Sequence, residues 1–107
     1  MDNERFERIK AMHPDWSDEQ IWIAVSIDLQ QDQTIRQQGD IDPNDPVIWE
    51  IIIRKAKDWL QEVWPVVFEK VKEIFAGLLN KIKEWISNKI PVVIDWIREF
   101  IGANFVR

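Results

Sequence analysis

The chain offers few side chains that could carry out catalysis. His13 is its single histidine, cysteine is absent, and the three serines stand at positions 17, 26 and 87. A serine or cysteine nucleophile needs a neighbouring base to take its proton. His13 is expected in a turn between helices, and Ser17, the serine nearest to it, is expected to cap the following helix, so no such pair can be proposed. We therefore expect no catalytic residue, no cofactor and no enzymatic activity.

One cluster of oxygen-bearing side chains resembles the alternating ligands of a calcium loop: Asp40, Asp42, Asn44, Asp45 and Glu50. The pattern fails where an EF-hand loop requires glycine, because Asp45 stands there with Pro46 after it, and the closing glutamate comes one residue early. An aspartate followed by proline is instead a common start of a helix. The sequence predicts helix capping here and no metal site.

The charge of the chain excludes one class of partner. Its formal net charge is -5; residues 1–45 carry 4 basic and 11 acidic side chains, and residues 46–107 carry 10 and 8. Without a dense basic patch we expect no nucleic-acid binding, because phosphate neutralisation supplies most of that affinity.

The first residues are too charged for a signal peptide, and no apolar run reaches the roughly 18 residues of a transmembrane segment. We expect an intracellular protein, soluble or peripheral to a membrane.

Residues 1–39 are predicted to form an acidic N-terminal helical hairpin. Phe6, Ile9 and Met12 recur at three-residue spacing, which is typical of the inner face of a short amphipathic helix, and Pro14 should end that helix near Met12. The second helix, from position 17 to about 38, starts with a capping box in which Ser17 and Gln20 bond reciprocally. Gly39 is its expected C-terminal cap.

Residues 5–39 resemble the CUE family, a ubiquitin-binding member of the UBA-like three-helix class. The Met12-His13-Pro14 segment lies where that family carries Met-Phe-Pro, Ile21 matches an apolar position of its second helix, and Thr34-Ile35 match the start of its third. His13 stands in place of the phenylalanine that contacts ubiquitin, and Gln37-Gln38 stand in place of the terminal di-leucine. The resemblance implies a helical module and a partner with a ubiquitin-like fold.

After a loop at 40–45, residues 46–107 show one continuous helical pattern. Polar, small or proline residues recur every three or four positions: 50, 54, 58, 61, 65, 69, 72, 76, 80, 83, 87, 91, 95, 98 and 102. The mean step is about 3.7 residues, so one helical phase passes through both Pro65 and Pro91. The pattern predicts amphipathic helices but fits a proline-kinked rod and an antiparallel bundle equally well. The fold class is therefore all-α.

The same region contains an internal repeat of 26 residues. Residues 57–75 align with residues 83–101, with identical Lys57/Lys83, Trp59/Trp85 and Pro65/Pro91 pairs. Because a proline also stands at position 46, we expect three helical units that begin at Pro46, Pro65 and Pro91.

Seven tryptophans and the apolar side opposite the polar stripe indicate an interaction surface. Four of them are immediate neighbours of stripe positions and are expected at the boundary between the polar and apolar sides, with Trp85 nearer the apolar centre: Trp49, Trp59, Trp64 and Trp96. We expect the interaction surface to contain Trp49, Ile52, Trp59, Leu60, Val63, Trp64, Val67, Val71, Ile74, Leu78, Ile82, Trp85, Ile86, Trp96 and Ile97. The helices that carry such a surface must fold back on the rest of the chain, associate with other copies or bind lipid.

The predicted function is a non-enzymatic structural or interaction module that forms homo-oligomers or packs on a partner protein in a larger assembly. The alternatives are binding to a membrane surface through tryptophans and lysines, and ubiquitin-like-fold binding by the N-terminal hairpin.

Overall fold

The computed structural model describes residues 3–38, 45–88 and 97, and within them the chain forms four helices and no strands. They are α1 (Asn3–Met12), α2 (Asp18–Gln38), α3 (Pro46–Val63) and α4 (Pro65–Asn88). The prediction of an all-α fold is confirmed. The expected loop around Gly39 and the third helical unit at Pro91 lie outside the described residues.

The junction between α1 and α2 has the predicted capping box. The Ser17 hydroxyl accepts a hydrogen bond from the backbone N–H of Gln20 at 3.2 Å, and the Gln20 side chain accepts one from the N–H of Ser17. These two bonds satisfy backbone donors that have no partner inside the first turn of a helix. Trp16 packs against the apolar cluster that includes Ile21, as a hydrophobic staple requires.

Two prolines start the next two helices. Asp45 caps α3 by accepting a hydrogen bond from the N–H of Val47 at 2.9 Å, and Pro46 occupies the first turn. Trp64 ends α3 with φ −149° and ψ 72°, outside the helical region, as the steric demand of a following proline favours. Pro65 therefore begins a new helix after a break of one residue.

The break at Trp64 decides between the rod and the bundle. A continuous helix over residues 46–88 would be about 64 Å long at 1.5 Å per residue, whereas the structure measures 32 × 31 × 25 Å. α3 and α4 fold back on each other and share one core with α2. The polar stripe faces outward from this bundle, and its members from Arg54 to Ser87 are exposed.

Helix α2 is the centre of the molecule. Its Ile21, Trp22 and Val25 form a cluster with Ile9 of α1, whereas its Ile23 and Ile27 belong to the larger core built by α3 and α4. All residues from Gln20 to Ile27 are buried except Ala24, which is half-buried. The buried hydroxyls of α2 bond within the helix: Ser26 donates to the carbonyl of Ile23 at 2.7 Å, and Thr34 donates to that of Gln30 at 2.7 Å.

The second helix of the predicted hairpin ends at Gln38 as expected, whereas the position of Met12 and a helix boundary implied by the CUE resemblance differ from the structure. Met12 was expected on the inner face of α1, but its side chain is 56% exposed because the helix ends there and the chain turns away. The CUE resemblance implies a third helix that starts at Thr34-Ile35, whereas α2 runs through these positions without a break to Gln38. No glycine or proline interrupts α2, so nothing in its sequence ends the helix earlier.

Candidate partner-binding site

Thirteen of the fifteen side chains of the predicted interaction surface lie in the core of the chain or pack against it. Seven of its side chains are buried, namely Trp49, Ile52, Leu60, Val71, Leu78, Ile82 and Ile97. Six are half-buried and pack against that core, namely Trp59, Trp64, Val67, Ile74, Trp85 and Ile86. Val63 is exposed, and Trp96 lies outside the described residues. An enclosed side chain cannot contact a partner while the chain keeps this fold, so the buried members of the predicted interaction surface are not accessible to one.

The tryptophans also depart from the expected boundary between the apolar and polar sides. Trp49 was expected beside the polar stripe but is 1% exposed, and Trp22 of α2 is also buried. The reason is that α3 contacts both α2 and α4, so its buried face is wider than a single seam. Trp59 and Trp64 are half-buried, as expected for rings at the edge of a core, whereas Trp85, which was expected nearer the apolar centre, is also only half-buried.

An open cavity of about 240 Å³ lies where α1 meets α2. Its described lining is an apolar floor with a polar rim, contributed by Arg8, Ile9, Met12, His13, Trp16, Ala24, Ile27, Asp28, Gln31 and Ile97. The side chains of Ile9, Ile27 and Ile97 are buried. Apolar surface with a few polar groups at its edge is the usual composition of a binding pocket.

One wall of the cavity is a pair of stacked rings. The ring centroids of His13 and Trp16 are 3.8 Å apart, and their planes differ by 7°. The turn that carries them is fixed by two backbone hydrogen bonds, from His13 N–H to the Ile9 carbonyl at 2.9 Å and from Trp16 N–H to the His13 carbonyl at 3.1 Å. Met12 stands beside this wall and is mostly exposed. The wall is therefore ordered, and the methionine at its edge is accessible.

A group of four charges holds α1 against α2 beside the cavity. Arg5 donates to the carboxylates of both Asp28 and Asp32, and Arg8 donates to Asp28 at 2.9 Å. Burial alone would lower the pKa of Arg5, but its hydrogen bonds and charge pairing with Asp32 and Asp28 outweigh burial and raise that pKa above its ordinary value. The side chain of Arg5 is 17% exposed and lies largely between the two helices that it links, whereas the side chain of Arg8 is at the surface.

The residues first considered for chemistry have structural partners. His13 is in the ring stack and Ser17 caps α2. Asp45 caps α3, and Glu50 accepts two hydrogen bonds from Arg54, at 2.9 and 3.1 Å. Asp40, Asp42 and Asn44 lie outside the described residues. Within the described ranges, no group of three or more histidine, cysteine, aspartate or glutamate side chains could hold a metal ion.

A second apolar feature is the turn between α3 and α4. Val63 is 43% exposed and Val66 is 66% exposed, on either side of the exposed Pro65. Trp64 anchors this turn by packing edge-on against Trp22, with ring centroids 4.9 Å apart. The flanking Glu62 and Glu69 are exposed, and so is Lys70. Glu69 accepts a hydrogen bond from Lys72 at 2.7 Å, so the apolar turn has a border of mixed charge.

The sequence did not indicate the cavity. Ile9, Ala24 and Ile27 have the periodicity of core residues, and that pattern is the same whether neighbouring helices meet closely or leave a gap. The one signal was Met12-His13-Pro14, which the CUE resemblance marked as a contact segment and which supplies two lining residues.

No protein-family model matches this chain, and comparisons with curated proteins and with solved structures find no significant match. None of the helices in the described ranges is long and apolar enough to cross a membrane.

Proposed function

We propose that this protein is a non-enzymatic helical interaction module that binds a partner protein by taking one apolar side chain into the cavity between α1 and α2. The observation that carries the proposal is an open apolar cavity of about 240 Å³ with charged groups at its rim. A pocket for a drug-sized ligand usually exceeds about 300 Å³. This smaller cavity suits a single side chain, and binding energy at protein interfaces is concentrated in such anchor residues.

The proposal changes the surface that meets the partner but keeps the class of function expected from the sequence. The proposal does not include self-association through the predicted interaction surface, because its members Leu60, Leu78 and Ile82 are buried in the core of the chain. Among the described residues, the turn at Val63 and Val66 is one exposed apolar feature that could meet a membrane surface. Residues 46–107 carry 10 basic and 8 acidic side chains, and this near balance weakens attraction to anionic lipid, so we favour a protein partner.

A ubiquitin-like fold is one candidate for this partner. Met12 and His13, which belong to the segment that resembles the CUE contact motif, both line the cavity. The support is local, because α2 continues where that family begins a third helix. Ubiquitin is therefore a useful defined probe beside an unbiased peptide library.

Filling the cavity should weaken binding of a partner. Ala24 is half-buried and lines the cavity, so Ala24→Leu places three more carbon atoms in existing space. We expect peptides selected from a phage-displayed library on the wild-type protein, or ubiquitin if it binds, to lose about 2 kcal/mol of binding free energy, roughly thirtyfold in Kd. Isothermal titration calorimetry with synthetic peptides measures this loss.

The matched control is Ala76→Leu, the same change at an exposed position of α4. This variant should bind the selected peptides with the wild-type Kd. Peptides that bind Ala24→Leu as tightly as the wild type would contradict the cavity as the binding site. A library that yields no enriched peptide and no binding of ubiquitin would count against the proposed function itself.

A further inference from the structure

We infer that the cavity between α1 and α2 selects an aromatic ring over an aliphatic group. This inference rests on the proposed function, since it names the kind of side chain that the same cavity takes. It also predicts that the cavity binds small aromatic molecules in the absence of a partner protein.

The size of the cavity fits one ring. An apolar protein cavity of about 150 Å³ accepts benzene, and the cavity here is about 240 Å³. The additional volume is enough for the second ring of an indole, whereas a larger ligand would have to extend over the rim. The cavity is open on one side, so a ring attached to a peptide backbone can enter it.

The walls favour a ring over an aliphatic group of similar size. The stacked His13 and Trp16 offer an ordered aromatic surface, and aromatic pairs gain energy from their quadrupoles beyond the area they bury. Met12 lies beside this surface with a flexible side chain that is mostly exposed, so its sulfur can approach the edge of an incoming ring. Ile9 and Ile27 form the floor of the cavity, and their aliphatic side chains do not distinguish an aromatic ring from an aliphatic group.

The rim favours a ring that carries a hydrogen-bond donor. The carboxylate of Asp28 lines the cavity, and the hydrogen bonds that Arg5 and Arg8 donate to it both reach Oδ2. A carboxylate has about four lone-pair positions, so further acceptor capacity is left at the rim. The N–H of an indole is a donor without an acceptor and matches such a group, whereas benzene has no donor. We therefore infer the order indole, benzene, cyclohexane in affinity.

The experiment is a titration of the ¹⁵N-labelled full chain with indole, benzene and cyclohexane, followed by the side-chain N–H signal of Trp16, which Trp16→Phe identifies. We expect both aromatic probes to bind about three- to tenfold more tightly than cyclohexane, from the energy of an aromatic pair. Ala24→Leu should abolish binding of all three probes, and Ala76→Leu should leave it unchanged. Met12→Leu keeps the bulk and removes the sulfur, so it should weaken aromatic binding selectively.

Three results would overturn the inference: cyclohexane binding as tightly as benzene, aromatic binding that survives Ala24→Leu, or no binding of any probe up to its solubility. Failure here is distinguishable from failure of the proposed function. Selected peptides with leucine or isoleucine anchors that lose affinity in Ala24→Leu would keep the interaction module and reject the aromatic preference. Indole binding without any peptide or ubiquitin binding would keep the aromatic site and reject the protein partner.

Discussion

Ser17 and Gln20 show how a few polar side chains set the boundaries of this fold. Their reciprocal hydrogen bonds satisfy two backbone donors at the start of α2. This helix contributes side chains to both hydrophobic clusters of the core. Ser17→Ala removes the acceptor for the Gln20 N–H and should lower the free energy of unfolding by about 1 kcal/mol. Urea denaturation followed by circular dichroism measures this loss.

The control for that substitution is Ser87→Ala, at an exposed position near the end of α4. It should leave the free energy of unfolding unchanged, because the fold does not use its hydroxyl as a helix start. If the two variants were equally stable, α2 would not depend on the capping box.

The sequence was informative about residues whose role is local. Ser17, Asp45 and the two prolines that begin α3 and α4 act on backbone groups within four positions, so their patterns are sufficient. Met12 and Trp49 were misplaced because their burial depends on how many neighbouring helices surround them. Met12 is left exposed at a helix end, and Trp49 is enclosed on a helix with two neighbours.

At the level of elements, the apolar side of α4 is the part whose expected role changes most. Leu78 and Ile82 were expected to face a second copy or a partner, and both are fully buried in the core. Leu78→Lys combined with Ile82→Lys therefore places two ammonium groups in an apolar interior, which costs several kcal/mol for each charge. We expect the double variant to lose its cooperative thermal transition and much of its helical circular dichroism.

Asn80→Lys with Ser87→Lys is the matched control, since it adds the same charge at exposed positions of the same helix. This control should keep the helicity and melting behaviour of the wild type. A core variant that kept its helical signal and its cooperative melt would show that these side chains are not enclosed in solution.

The choice between rod and bundle could not be made from the amphipathic pattern. A helix that keeps one apolar face has the same period whether that face meets a neighbour from its own chain or from another. The deciding event is the departure of one residue, Trp64, from helical geometry before Pro65. A proline in a helical sequence either bends the helix or ends it, and the outcome depends on the packing available to the two halves.

Considered as a whole, the molecule joins in one core the two segments that the sequence distinguishes. Segments 1–39 and 46–107 differ in charge and pattern, yet Ile23 and Ile27 of α2 lie in one core with Phe75 and Leu79 of α4. Apolar and polar residues alternate over positions 23–29 as they would in a strand, although α2 is a helix, and the enclosure of α2 explains this pattern. A helix enclosed on several sides carries apolar residues in nearly every direction, and this obscures its period. The cavity is likewise a property of the whole molecule, because its shape depends on how neighbouring helices pack together.

The single-residue break at Trp64 has a consequence for the order in which the chain folds. Contacts between α3 and α4 near the turn close very short loops, whereas docking of α2 onto the same core brings together residues far apart in the sequence. We expect the α3–α4 pair to form first in the folding transition state and α2 to dock later. Stopped-flow chevron analysis should give Leu60→Ala and Val71→Ala higher φ-values than Val25→Ala, and the reverse order would assign the nucleus to α2. The acidic N-terminal half would then acquire its structure, and with it the aromatic wall at Trp16, on a surface that the C-terminal helices have already assembled.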